Sequence, residues 1–141
     1  MLRYSAILLI AVVFSSCQFR HKVVEETWGD GTPKRVKVYK GKGENRELLE
    51  ETVYYSNKQI QMTGTYKNGK RDGHWASYYD NGQVWSEGWF KEGMANGKRI
   101  VYYPSGKVRY EGEFINDQRA GKWLFYDETG QLAKEVDYGT P

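Results

Sequence analysis

Three carboxylates recur at a fixed interval: Glu87, Glu111 and Glu135, each 24 residues after the last. On equivalent strands of a repeating sheet they would stand two strands apart, about 9.6 Å at ordinary strand spacing. An inverting glycosidase holds its two carboxyl groups at roughly that separation. The plainer reading is that they recur because the repeat recurs, facing water among Lys and Arg, where cross-strand pairs contribute little. We expect no catalysis from them. The histidines are His21 and His74 alone, and neither has a second His or Cys nearby, so no metal site and no cofactor is expected. No Ser or Cys stands in a context that would activate it as a nucleophile, and the glycines are spaced as turn and packing residues, not as a phosphate loop. An enzyme is therefore not expected.

A second group of side chains could bind without reacting. Trp75, Tyr79, Trp85 and Trp89 come from one repeat, with Trp123 and Phe125 from a later one. Clustered on one face, they would form an interaction surface for a protein or a sugar ring. They could equally cover the backbone of a thin sheet. The basic segment Lys67 to Trp75 reads as a solvated loop. The chain has 21 Lys and Arg against 18 Asp and Glu, a balance too even to point to nucleic acid.

The elements that must position these groups come from the 24-residue period. Tyr54, Tyr78, Tyr102 and Tyr126 coincide; so do Ile60, Val84, Val108 and Leu132, and Tyr66, Phe90, Phe114 and Tyr138. A period of this length marks a stacked array in which each unit completes the packing of its neighbour. With 12 Tyr, 5 Trp and 16 Gly in 141 residues, β-structure with tight turns is favoured. We read an all-β fold: an elongated, twisted, single-layer antiparallel sheet of repeated β-hairpins. Repeats span 49–72, 73–96, 97–120 and, partially, 121–141, after an N-terminal hairpin and loop at 23–48.

Each repeat is two strands around a turn such as Asp80-Asn81-Gly82. A two-residue type I′ turn would put Ser105 and Thr129 at positive φ and leave Pro104 in a ladder position needing an N–H. A three-residue loop with Gly82, Gly106 and Gly130 left-handed avoids both. Lys58 occupies the corresponding place in the first repeat, so that turn is expected to be looser or strained. This loop sets Tyr78 opposite Val84 and Ala76 opposite Ser86. Tyr78, Val84 and Phe90 then share an apolar face with Ile100, Tyr102, Leu124 and Tyr126. Gly64, Gly88 and Gly112 leave room there for a neighbouring ring. Trp75, Tyr79, Trp85, Trp89, Trp123 and Phe125 fall on the opposite face with the three glutamates.

The pattern Gly-x-Trp-x-x-Tyr-Tyr-x-x-Gly at Gly73 to Gly82, with Glu-Gly-x-Phe at Glu87 to Phe90 and again at Glu111 to Phe114, resembles the MORN-repeat-variant family, which includes the YwqK-type, antitoxin-like proteins. The resemblance covers roughly residues 49–139. Val136 departs from it where Gly is expected, and Leu49 where the first repeat should begin with Gly. It implies an elongated sheet of hairpins, protein or membrane contacts, and no catalytic residues. An antitoxin or immunity-like role, sequestering a toxin, follows from the family's naming only.

The single cysteine excludes an intramolecular disulfide. Arg3, the apolar run Tyr4 to Phe14, and Ser15-Ser16-Cys17 resemble a bacterial lipoprotein signal, with Phe14 where Leu is usual. The expectation is a signal peptide at 1–16, a lipidated Cys17 and a tether to residue 22. The protein would then lie in the cell envelope, attached to the membrane through Cys17. Gln18 favours the outer membrane. The partner expected for the repeats is a protein, with glycan binding as the alternative.

Overall fold

The computed structural model describes residues 19–141. The signal sequence and Cys17 lie outside the described residues. Ten strands follow one another: β1 Arg20–Thr27, β2 Pro33–Lys40, β3 Glu47–Tyr54, β4 Ile60–Lys67, β5 Lys70–Tyr78, β6 Val84–Lys91, β7 Met94–Tyr102, β8 Val108–Ile115, β9 Gln118–Tyr126 and β10 Leu132–Asp137. All pair antiparallel with their sequence neighbours in one unclosed sheet, in the order of the chain. The all-β, single-layer architecture of repeated hairpins is thus as read from the period. β1 starts at Arg20, where Arg20 pairs with Lys40 and His21 with Tyr39, so most of the segment read as a tether joins the sheet. His21 and Val23 are half-buried between exposed Arg20, Lys22 and Val24, and a strand flanked by charges suits the sheet edge.

The turns are three-residue loops. Tyr79 donates its N–H to the Gln83 carbonyl and Gly82 donates to the Tyr79 carbonyl, at 2.8 and 2.9 Å. Gly82, Gly106 and Gly130 are left-handed, with φ of 85°, 83° and 91°. Lys58 takes the same place at φ 69° and still closes the turn, its N–H reaching the Tyr55 carbonyl at 3.0 Å. Strain is therefore the correct half of the expectation, because a side chain at positive φ meets its own carbonyl.

Tyr78 lies opposite Val84 as expected, but the next pair is Ser77 with Ser86, and Ala76 faces Glu87 instead of Ser86. Trp85 is an extra residue, a β-bulge one step in from the turn. Gln61, Arg109 and Ala133 are inserted at the same place in the other hairpins. One inserted residue exchanges the faces of everything beyond it. The apolar face drawn from the sequence is consequently split between the two sides of the sheet.

On one side, the glycine face, a row runs Val53, Met62, Ser77, Ser86, Val101, Tyr110, Phe125 across β3 to β9. Beside it, Gly64 pairs with Trp75 and Gly88 with Arg99. Here the space over each glycine is filled. A Cβ on Gly64 would come within 2.1 Å of the Trp75 ring, and one on Gly112 within 2.2 Å of the Trp123 ring. Trp75 meets Tyr66 and Phe90 edge-on, and Trp123 meets Phe114 and Tyr138 likewise. These two clusters are the core of the array, built without a second layer.

Repeats are also tied at the turn edge. The hydroxyls of Tyr55, Tyr79 and Tyr103 each donate to a carbonyl 23 residues on, those of Tyr78, Tyr102 and Tyr126, at 2.8, 2.9 and 2.9 Å. Each hydrogen bond of this kind contributes about 1 kcal/mol net, and repetition aligns one hairpin on the next.

Candidate interaction faces

The carboxylate face carries the three recurring glutamates in a single row: Glu87, Ile100, Glu111, Leu124, Glu135. Neighbouring carboxylates are two strands apart, as the period implies. Each is held by donors from the adjoining strands. Glu87 accepts the Tyr102 hydroxyl at 2.6 Å and stands 3.0 Å from His74 Nε2. Glu111 accepts the Tyr126 hydroxyl at 3.1 Å and pairs with Lys98 at 2.8 Å. Glu135 pairs with Lys122 at 2.8 Å.

The electrostatics follow from these partners. The Tyr102 hydroxyl, with His74 beside it, holds the Glu87 carboxyl below its ordinary value. Lys98, then Tyr126, does the same for Glu111. Burial, reinforced by Glu87, pushes the Tyr102 phenol up to about 12. A carboxyl held ionised is a poor general acid near neutral pH, and Ile100 and Leu124 occupy the intervals between the carboxylates. The row behaves as a neutralised ladder that binds repeat to repeat. No group of three His, Cys, Asp or Glu is placed to hold a metal ion among the described residues.

The aromatic cluster read from the sequence does not stay together. Trp75 and Trp123 are 4% and 1% exposed and belong to the core of the glycine face. Their indole N–H groups donate to the carbonyls of Thr65 and Glu113 at 3.0 and 3.2 Å. The bulge residue, invisible in the repeat pattern, is the reason they change sides. Phe125 packs half-buried beside Tyr110 and Trp123. Tyr79 spends its hydroxyl on the inter-repeat tie. Trp85 and Trp89 remain 46% and 39% exposed. Trp89 alternates with Glu87 on β6 and lies against His74, ring centroids 4.7 Å apart.

Sequence reading missed the arginines. The Arg71 guanidinium sits 4.1 Å from the Trp75 ring centre and 5.7 Å from that of Phe90. Arg119 repeats this 48 residues on, 4.5 Å from Trp123 and 5.3 Å from Tyr138. In the intervening repeat Ala95 replaces the arginine, and Arg99 replaces the tryptophan, lying over Gly88. The signal was present as Arg-x-Gly-x-Trp at Arg71 to Trp75 and again at Arg119 to Trp123. It becomes readable only when Trp and Arg are known to share a face.

A search of the curated proteins finds no match to the chain. The family model of the MORN repeat variant matches at residues 48–68, 71–92, 95–116 and 119–138. Those segments are the four hairpins from β3 to β10, more than half of the chain. Repeats of this kind serve in binding and scaffolding, and the chain belongs to the MORN repeat variant family.

Proposed function

We propose that this chain is a lipid-anchored, non-catalytic binding module of the bacterial envelope, holding a protein partner on its repeat sheet. The observation that carries the reading is the open single layer itself. Four MORN-type hairpins, with β1 and β2, build one sheet with two broad faces, and its aromatic core packs on one of them beneath Arg71 and Arg119. Such an array offers area for contact and rigid placement of side chains, which is what a binding module needs.

The anchor rests on Arg3, the apolar run to Phe14, and Ser15-Ser16-Cys17. β1 begins three residues after Cys17, about 10 Å of extended chain. A lipid on that thiol would hold the sheet close against the membrane, and more than one acyl chain gives lasting attachment. A glycan-active role is not favoured, because the carboxylates that suggested it are occupied by Tyr, His and Lys donors.

Fractionation of bacteria making the wild type and Cys17→Ser tests the reading. Wild type is expected in membranes at mature mass plus lipid. Cys17→Ser is expected to be released or to accumulate as precursor, since only a thiol takes the diacylglycerol. A Cys17→Ser chain found in membranes at the mature mass would refute it.

A further inference from the structure

Charge is distributed unequally between the two faces. On the carboxylate face the basic groups His74, Lys98 and Lys122 all face a glutamate partner. On the glycine face at the β1–β4 end, Arg35 is matched by Glu26 and Glu51. From β5 onward that face carries Arg71, Arg99 and Arg119, and none of the three has an ion-pair partner among the described residues. Alternation and register put the carboxylates of β6, β8 and β10 on the other side: Glu87, Glu111 and Glu135 in the central row, Glu113 opposite Lys98, and Asp137 opposite Lys122. Asp72 is taken up by the Glu92 amide.

From this we infer that the glycine face between β5 and β9 is a docking surface for an acidic polypeptide segment, read by Arg71, Arg99 and Arg119. The inference rests on the binding role proposed above and names the chemistry of the partner. For Arg71 and Arg119, stacking uses the flat side of the guanidinium. Arg119 gives Nη1 to the Tyr138 hydroxyl at 2.6 Å, and Arg71 turns Nη2 to Met62 Sδ. Their remaining in-plane N–H groups, with the whole fork of Arg99 over Gly88, are left for carboxylates. In Arg71 and Arg119 stacking also fixes the long side chain before the partner arrives, which lowers the ordering cost of binding. Arg71 and Arg119 start from the row of Tyr66 and Phe114, while Arg99 pairs with Gly88. The first two lie over Trp75 and Trp123, whose rings cover Gly64 and Gly112, and Arg99 covers Gly88. The three guanidinium groups therefore share the glycine row, two strands or about 9.6 Å between neighbours. An extended segment advances about 10 Å in three residues, so a run of Asp and Glu meets that interval. Between the arginines lie Phe90 and Phe114, an apolar floor for the segment's other side chains. This pairing of arginine with aromatic rings is the composition typical of binding hot spots.

The full-length chain in detergent, with a fluorescent glutamate 20-mer as probe, tests this by anisotropy. Binding is expected, weakening as salt rises. Arg99→Gln should weaken it by about tenfold, the scale of one charge-assisted bidentate pair. Lys98→Gln removes the same charge from the neighbouring residue on the opposite face, and should change binding less than about twofold, as screened exposed charges do. Far-UV circular dichroism and thermal melting should be unchanged in Arg99→Gln, since Arg99 meets only a glycine shelf. Arg71→Lys should retain part of the affinity by keeping the charge.

Absence of probe binding would overturn the inference. So would equal losses from Arg99→Gln and Lys98→Gln, which would mean bulk charge alone. Arg99-dependent binding to vesicles containing anionic phospholipid, without binding to the peptide, would also overturn it in favour of a lipid surface. None of these outcomes bears on the Cys17→Ser experiment, so anchor and docking surface stand or fall separately.

Discussion

Gly112→Ala probes the packing on which both faces depend. The added Cβ would lie 2.2 Å from Trp123 Cδ2 and 2.4 Å from Cε2. Ordinary contact between carbons needs about 3.5 Å, so the ring must retreat by more than 1 Å. It has little room, because Phe114 and Tyr138 hold its edges and Arg119 covers it. Overpacking of this kind costs about 1–3 kcal/mol. Re-exposing even a third of the buried indole, roughly 70 Å², adds nearly 2 kcal/mol at about 25 cal/mol per Å². Replacing glycine in a strand returns up to about 1 kcal/mol. The net expectation is a loss of about 3 kcal/mol, a melting temperature lower by roughly 10 °C for a domain of this size.

Gly88→Ala is the matched control. There the new Cβ would meet Arg99 Cδ at 3.1 Å and Nη1 at 3.0 Å, a flexible side chain that can swing aside. Its cost should stay below about 1 kcal/mol, since the rotamer can change without re-exposing a core ring. Both are read by urea denaturation followed through tryptophan fluorescence, with amide exchange of β8 to β10 as a local measure. Equal destabilisation by the two substitutions would refute the claim that rings, and not glycine backbone freedom, dictate these positions.

Further outcomes follow from the turns and the ladder. Lys58→Gly should stabilise the protein by about 1 kcal/mol, because it removes a left-handed non-glycine residue and restores the residue type of the sister turns; differential scanning calorimetry measures it. Tyr102 should ionise near pH 12, above the ordinary range of a free phenol, visible as a late step in phenolate absorbance that is lost in Tyr102→Phe. Its raised value means stability fully present below pH 10 and lost as pH rises through about 12. Glu87 and Glu111 are lowered, by Tyr102 and by Lys98 respectively, so their contribution is present above the ordinary carboxylate range and is lost as pH falls through it. Glu111→Gln should flatten the acid limb of a stability–pH profile measured between pH 6 and 3.

Much of the architecture was legible because turns speak through residue type. Gly82, Gly106 and Gly130, with Pro104 forbidding the shorter loop, specify the hairpins, and the recurrence of Tyr and Phe specifies their number. The bulge was not legible. Its residues are Gln61, Trp85, Arg109 and Ala133, which share no chemical property, because the bulge is imposed by the pairing of neighbouring strands and not by a side chain. That one residue put Trp75 and Trp123 on the face opposite the glutamates. The glycine shelves at Gly64 and Gly112 were anticipated as room for a ring, yet the rings that use them had been assigned to the other side. Arg71, Arg99 and Arg119 had no meaning as a group until the tryptophans were placed among them.

The division of the sheet into two faces is what both the binding role and the docking surface depend on, and oxidative footprinting of the five tryptophans tests it most directly. The intact protein, briefly exposed to hydroxyl radicals and mapped by mass spectrometry, should show Trp85 and Trp89 modified and Trp75 and Trp123 protected until the protein unfolds. Modification of Trp75 or Trp123 as fast as Trp85 in the folded chain would contradict the account, returning those rings to the exposed cluster and removing the aromatic floor beneath the arginines.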